Sequence, residues 1–208
     1  MSRTLLAAAA GQSQATMRAE SLRPTTATRR SAPGLSSARE SAVVREAQRG
    51  SSEALEELFR RHWRRAHRAA YLVVGDSAAA EDIAQESFLA AIRALDRFDR
   101  RRPFGPWLHR IAVNRSIDFA RARGLRRESA IAEPPAAATP SSASISDELR
   151  RGLAELSPEH RAVVVLRYLL GYTPGEIGEM LGLPRGTVNS RLRRGLDSLR
   201  PAIEEARE

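Results

Sequence analysis

The residues with the most chemistry to offer lie close together near the C-terminal end of the chain. Between 185 and 194 the sequence places Arg185, Asn189, Ser190, Arg193 and Arg194 within ten positions. An Arg guanidinium forks onto guanine, an Asn amide pairs with adenine, and a Ser hydroxyl reaches a base or a phosphate. Those groups share a helix face only if the helix is anchored by its other face. Val188, Leu192, Leu196 and Leu199, spaced 4, 4 and 3, supply that anchor. The residues just before them read as a first helix and a tight turn. Ile177 and Leu181 stand one turn apart, Gly178 suits a close approach of two helices, and Gly182 permits the positive φ of the turn. The start of the second helix, Arg185 to Thr187, is suited to a phosphate. A basic amphipathic helix alone is equally a solvated helix end; with the turn and both apolar stripes in register, it predicts a DNA-binding helix-turn-helix.

Competing chemistries find few residues. Cysteine is absent, which excludes disulfides, thiolate metal sites and a Cys nucleophile. The four histidines, His62, His67, His109 and His160, are scattered. Asp82 and Glu86 stand one helical turn apart, but no His or third carboxylate is spaced to complete a metal or acid–base site. The expectation is a chain with no catalytic residues, no metal and no cofactor, and not an enzyme. The 34 basic side chains, all Arg, exceed the 25 acids and give a net charge of +9, which points to nucleic acid as partner. No apolar run approaches the roughly 18–20 residues that span a bilayer. The stretch Leu5-Leu6-Ala7-Ala8-Ala9-Ala10 is short for an export signal, so the cytoplasm is the expected location.

These groups need helices to position them, and the pattern is helical with no strand signal. Residues 1–40, rich in Ser, Thr, Ala and Arg, read as a disordered basic tail. Over 41–122, Leu55, Leu58, Phe59, Trp63, Ala66, Ala70 and Val73 form a buried stripe that Gly75 ends, with Asp76 or Ser77 capping the next helix. Ala84, Phe88, Ile92 and Leu95 continue as a second stripe, up to Phe98. A third helix is expected over 106–122, with Trp107, Leu108 and Ile111 in its core. Residues 123–147, with Gly124, three prolines and a Ser cluster, read as a flexible linker. Helices resume over 148–200: Leu149, Leu153 and Leu156 first, then a helix capped by Ser157 and started by Pro158. Residues 201–208 are a short C-terminal tail. The fold class is all-α, two small helical domains on a tether.

The motifs resemble a known family. Leu156-Ser157-Pro158-Glu159-His160-Arg161, Val163 to Tyr168, and the helix-turn-helix through Leu192 are similar to region 4 of bacterial sigma factors, most of all the extracytoplasmic function group. The first domain is similar to region 2 in Gly75-Asp76, Ala80 to Leu89, Leu95 to Asp99, and Phe104 to Asn114 followed by Asp118. The likeness covers roughly 41–200, both motif sets in order with no region 3 between them.

The resemblance implies a transcription initiation factor, of a group tied to stress responses, that grips core RNA polymerase through the β′ clamp helices and the β subunit and recognises promoter DNA. It also implies an anti-sigma factor as regulator, no membrane insertion, and no cofactor. The docking helix would carry Asp82, Gln85 and Glu86, with Phe88, Leu89 and Ile92 adding apolar contact. Residues 81–99 hold five acids against two Arg in an otherwise basic chain, which suits a basic protein partner. The loop from Arg97 to Phe104 would capture a flipped −10 base, Arg100, Arg101 and Arg102 holding phosphates while Phe104 offers a stacking face. Arg110 and Asn114 match positions at the upstream duplex edge, and Arg115 and Arg121 would touch backbone. Asn189, Ser190, Arg193 and Arg194 match base-facing positions at the −35 element, with Arg185, Thr187 and Arg191 nearer its backbone. Pro103 and Gly105-Pro106 depart from the commoner small-polar loop, and Asn189 stands where Lys or Arg is common. A free-standing regulator that borrows only the helix-turn-helix, or a DNA-acting recombinase, explains fewer of these residues.

Overall fold

A computed structural model describes residues 33–129 and 147–205, and among these every regular element is helical. Helix α1 spans Pro33–Gln48, α2 Ser52–Val74, α3 Ser77–Arg93 and α4 Phe104–Ser129, with a 3₁₀ turn at Leu95–Arg97. The C-terminal part holds α5 (Asp147–Glu155), α6 (Pro158–Val164) running into a π turn at Val165–Leu169, α7 (Pro174–Leu181) and α8 (Arg185–Glu205).

Local chemistry sets the boundaries. Ser51 caps α2 by accepting from the Ala54 N–H, and Gly75, at φ 73°, closes it in the left-handed region. Asp76 then caps α3 by accepting from the Ala79 N–H at 3.1 Å. The same carboxylate pairs with Arg123 of α4 at 2.9 Å. The cap, and then Arg123, hold its pKa below the ordinary Asp value against the opposing effect of burial. That pairing accounts for one departure from expectation: α4 does not stop at 122 but continues through Gly124 to Ser129. The first residues of the predicted linker are therefore helical; residues 130–146 lie outside the described residues.

A second departure concerns the predicted tail. Residues 33–40 belong to α1, while the rest of that tail lies outside the described residues. Glu40 makes the attachment: its carboxylate receives the Phe104 N–H at 3.2 Å and bonds His62 Nε2 at 2.9 Å. The His62 hydrogen bond keeps the Glu40 pKa below the usual carboxylate value although burial opposes it.

The core is in two main parts. One joins α1–α4 around Leu58, Ala66, Phe88, Phe98, Phe104 and Leu108. The other gathers Ala69, Leu72 and Val73 of α2 and Val113 and Ile117 of α4 with Leu153, Val163, Leu166, Ile177, Val188 and Leu199 of the C-terminal helices. The two helical parts thus share apolar packing. Arg161 reinforces it: almost fully buried, its guanidinium donates to Val73 O at 2.7 Å, Ala154 O at 2.8 Å and Leu156 O at 2.9 Å. Those carbonyls close the last turns of α2 and α5, the negative ends of two helix dipoles.

Candidate nucleic-acid and partner interfaces

The helix-turn-helix is built as its sequence predicts. Thr173 caps α7 in a capping box: its hydroxyl accepts from the Glu176 N–H, and the Glu176 carboxylate receives the Thr173 N–H at 2.7 Å. Gly182 ends α7 at φ 67°. A Cβ on Gly178 would lie 2.6 Å from Leu183 O, so only glycine lets the turn fold back this tightly. Val188, Leu192 and Leu199 bury one face of α8, Leu196 only in part. On the other face Arg185, Asn189, Arg193 and Arg194 are exposed, and Thr187, Ser190 and Arg191 are half-buried beside them. Among the described residues none of these four arginines makes an ion pair. The surface is a row of donors on one face of a single helix, and a major groove admits an α-helix.

The second basic surface surrounds the turn between the 3₁₀ segment and α4. Arg100, Arg101 and Arg102 are exposed, on a turn fixed by the Asp99 carboxylate receiving the Arg101 N–H at 3.0 Å and by Ser41 donating to Arg100 O at 3.1 Å. Arg110 is exposed on α4, with Asn114 half-buried one turn on. Phe104 requires a correction. It is 2% exposed, packed against His62, Phe98 and Trp107, and leaves no ring face for a base. Its backbone starts α4, and that position points the side chain into the core. The accessible aromatic is Trp107, expected in the core but only half-buried, its ring centroid 4.5 Å from that of Phe98. Two other basic residues assigned to this surface are already paired: Arg115 with Glu86 at 2.6 Å, and Arg121 with Glu159 at 2.5 Å.

The third surface is the outer face of α3. Asp82, Gln85 and Glu86 are exposed in a row, continued by Leu89, 50% exposed, and Ile92, 43% exposed. Phe88 does not join them; at 4% exposure it faces inward and forms the floor on which Phe59 and Trp63 of α2 rest. Phe59, 41% exposed and stacked on Trp63 at 4.8 Å, extends this apolar patch onto α2. Its i, i+4 spacing with Trp63 is visible in the sequence, but the same spacing reads as core. Asp82, Glu86, Leu89 and Ile92 present adjacent charge and apolar area, the composition of a protein-docking face.

A cleft of about 740 Å³ separates the second surface from α7. Arg97, Arg102, Trp107 and Arg110 line one side; Tyr172, Glu176, Glu179 and Met180 line the other. The Tyr172 hydroxyl shares a 2.6 Å hydrogen bond with Nδ1 of the buried His109. Burial, with help from the charges of His62 and Arg65, lowers the His109 pKa to about 3, and burial pushes the Tyr172 phenol up, so both are neutral at pH 7.

Comparison with known proteins accords with this geometry. Residues 58–126 match the family model of sigma-70 region 2 and residues 152–201 that of sigma-70 region 4. The chain is similar to the RNA polymerase sigma factor CarQ of Myxococcus xanthus, 37% identical over 163 residues, or 75% of this chain and 92% of that protein. It is similar too to the ECF RNA polymerase sigma factor SigW of Bacillus subtilis, 31% identical over 180 residues, 78% of this chain and 95% of that one. Among solved structures it resembles CnrH in complex with the cytosolic domain of CnrY, at 27% identity and a TM-score of 0.60 over 80% of this chain and 97% of that one. The fold also resembles RpoE of Bartonella quintana in complex with the anti-sigma factor NepR, at a TM-score of 0.62 and 20% identity over 72% of this chain and 96% of that one. No helix of the described residues is long and apolar enough to cross a membrane.

Proposed function

Because the chain belongs to the ECF group of RNA polymerase sigma factors, which direct promoter-specific initiation of transcription, we propose a division of that work among its three surfaces. The α3 face, with Asp82, Gln85, Glu86, Leu89 and Ile92, docks on the β′ clamp helices of core RNA polymerase, while the C-terminal part reaches the β subunit. Arg100, Arg101, Arg102, Arg110 and Asn114 hold and help to melt the −10 element. The α8 face reads the −35 element in the major groove. Factors of this kind work beside polymerase in the cytoplasm as initiation factors rather than catalysts. An anti-sigma factor is the expected regulator.

The observation that carries this reading is the segregation of an acidic, partly apolar helix face from two Arg-rich surfaces on the same small chain. Negatively charged DNA would be repelled by the first and attracted by the other two. Gel filtration of the full chain with core RNA polymerase, beside the Asp82→Arg/Glu86→Arg variant, tests it. Co-elution of the wild type and its loss in the variant is expected. Co-elution of both would move the docking site elsewhere; binding by neither, with DNA binding retained, would favour a free-standing regulator.

A further inference from the structure

We propose that α1 belongs to the −10 machinery: Glu40, Ser41 and Gln48 are positioning residues that fix the backbone of residues 95–104, and with it the aim of the donors this loop carries to a promoter strand. The inference rests on the functional reading above. It adds to that reading a helix outside the matched region 2 model, which begins at residue 58.

The loop has little of its own to hold it. Its internal backbone bonds are those of short turns, Phe98 N–H to Leu95 O at 2.9 Å and Arg102 N–H to Asp99 O at 2.9 Å. Arg100, Arg101 and Arg102 are adjacent like charges that repel one another. A loop ordered only when DNA arrives would bind more weakly, since the cost of ordering falls on the binding step.

One face of α1 supplies the missing hold. Glu40, Val44 and Gln48 recur every four residues, with Ser41 beside them. Val44, 1% exposed, and Ala47 sink into the core that contains Phe98, Phe104 and Leu108, and so fix the helix. The polar residues of the face reach the loop's backbone rather than its side chains. Gln48 Nε2 donates to Leu95 O at 2.9 Å and to Phe98 O at 3.1 Å. The Ser41 hydroxyl donates to Arg100 O at 3.1 Å, and the Glu40 carboxylate receives the Phe104 N–H at 3.2 Å. These bonds fall at the beginning, middle and end of the loop. Among the described residues no other helix sends a side-chain hydrogen bond to this backbone.

The Glu40 bond meets a specific need. Pro103, the residue before α4, has no side-chain acceptor with which to cap it. The N–H groups of a first helical turn lack intrahelical partners and form the positive end of the dipole. Glu40 brings a carboxylate to that end from another helix, and His62 of α2, at 2.9 Å, holds the carboxylate in place. The opening turns of α4 carry Trp107 and Arg110, so the seat of Phe104 sets the position of both. Charge and placement then contribute separately. The arginines attract phosphates wherever the loop lies, whereas discrimination among bases needs donors held at fixed positions.

The test uses the full chain with core RNA polymerase. Ser41→Ala/Gln48→Leu removes three of the four bonds while leaving every loop residue and Glu40 in place. Hydrogen exchange over 95–104 should quicken roughly tenfold, with α2 and α8 unmoved. The variant holoenzyme, offered promoter DNA randomised over the −10 element, should show base preferences there several-fold flatter than the wild type. Its salt slope and its co-elution with polymerase should be unchanged. Glu40→Gln keeps an acceptor oxygen for the Phe104 N–H and should retain the wild-type preferences, whereas Glu40→Leu should flatten them. Unchanged preferences in the Ser41→Ala/Gln48→Leu protein overturn the proposal, whether or not exchange quickens. Loss of the preferences together with the salt slope and −35 duplex binding also overturns it, because that pattern is general unfolding. A wild-type holoenzyme with no preference at −10 counts instead against the functional reading, and the exchange result alone then decides whether α1 holds the loop.

Discussion

The two Arg-rich surfaces of this chain differ in what stands in front of them. On α8, Arg185, Arg193 and Arg194 project from a helix pinned by Val188, Leu192 and Leu199, with no carboxylate partner among the described residues. Around the start of α4, Arg97, Arg102 and Arg110 look across a cleft at Glu176 and Glu179, and Arg121 is held by Glu159. A helix face is a reading surface complete in itself, because its own hydrophobic stripe fixes it. A loop surface depends on neighbours for its position and is therefore open to being covered by one. The difference teaches that positive charge marks where DNA can bind, while the carboxylates opposite it set how much of that charge is left unbalanced.

The largest effect should come from the core that both surfaces share. Leu166→Ala empties a fully buried site in the apolar cluster joining the two parts, and should cost about 2–5 kcal/mol of unfolding free energy in urea titration. If the two parts were energetically independent, the loss would appear only in a C-terminal transition, with the α1–α4 part unmoved.

Acidification should weaken the cleft side in particular. His109 has a pKa of about 3 in the folded chain against an ordinary 6.5, so the unfolded or opened chain binds the extra proton first. Its contribution is complete above pH 6.5 and declines as pH falls from there towards 3. Between pH 7 and 5 the loss is about 2 kcal/mol. The groups facing it are Tyr172, His62, Arg65 and Glu40; Glu40 has its own lowered pKa and loses its contribution only below about pH 4.5. Chemical denaturation at pH 7 and 5, compared with His109→Phe, checks this; an equal pH slope in both proteins would exclude His109 as the source.

A sharper contrast is expected from single Arg changes on the two surfaces. Arg193→Ala should weaken specific −35 duplex binding by about 1–3 kcal/mol at the position it reads and relax selectivity there. Arg102→Ala should weaken single-strand binding about equally across sequences and reduce its salt slope by about one. An unchanged salt slope would mean that Arg102 does not hold a phosphate. The smallest effect belongs to Asp76, whose cap and Arg123 pairing hold the α2–α3 corner: Asp76→Ala should lower stability by about 1 kcal/mol in thermal unfolding while leaving duplex binding by α8 unaltered.

Much of the fold is written locally. Ser51, Asp76, Ser157 and Thr173 are capping residues by type, and all four cap the helix that follows. Gly75 and Gly182 take the left-handed φ that only glycine adopts freely. The residues of the α8 face follow from a 3.6-residue period, and α3's exposed acidic row from the same rule. Where the sequence misleads, an apolar residue has a choice of partners. Phe104 and Phe88 read as surface contacts because a motif places them beside functional residues, yet both turn inward, and Phe59, which reads as core, is left outside. Periodicity assigns a face to each helix but not the neighbour that face will meet.

Composition, caps and periodic stripes therefore determined an all-α chain with a helix-turn-helix and an acidic helix, since each is a matter of residues within a turn or two of one another. The tertiary structure alone decided that the two helical parts share a core. One hint was present: Ala69 to Val74 is apolar without interruption, and a helix that is apolar all round must be buried on more than one side. What would cover the second side was beyond local reading, because Val73 meets Arg161, and His109 meets Tyr172, across separations of 88 and 63 residues. Contacts at that distance in sequence carry no period and no spacing; they exist only once the helices have packed.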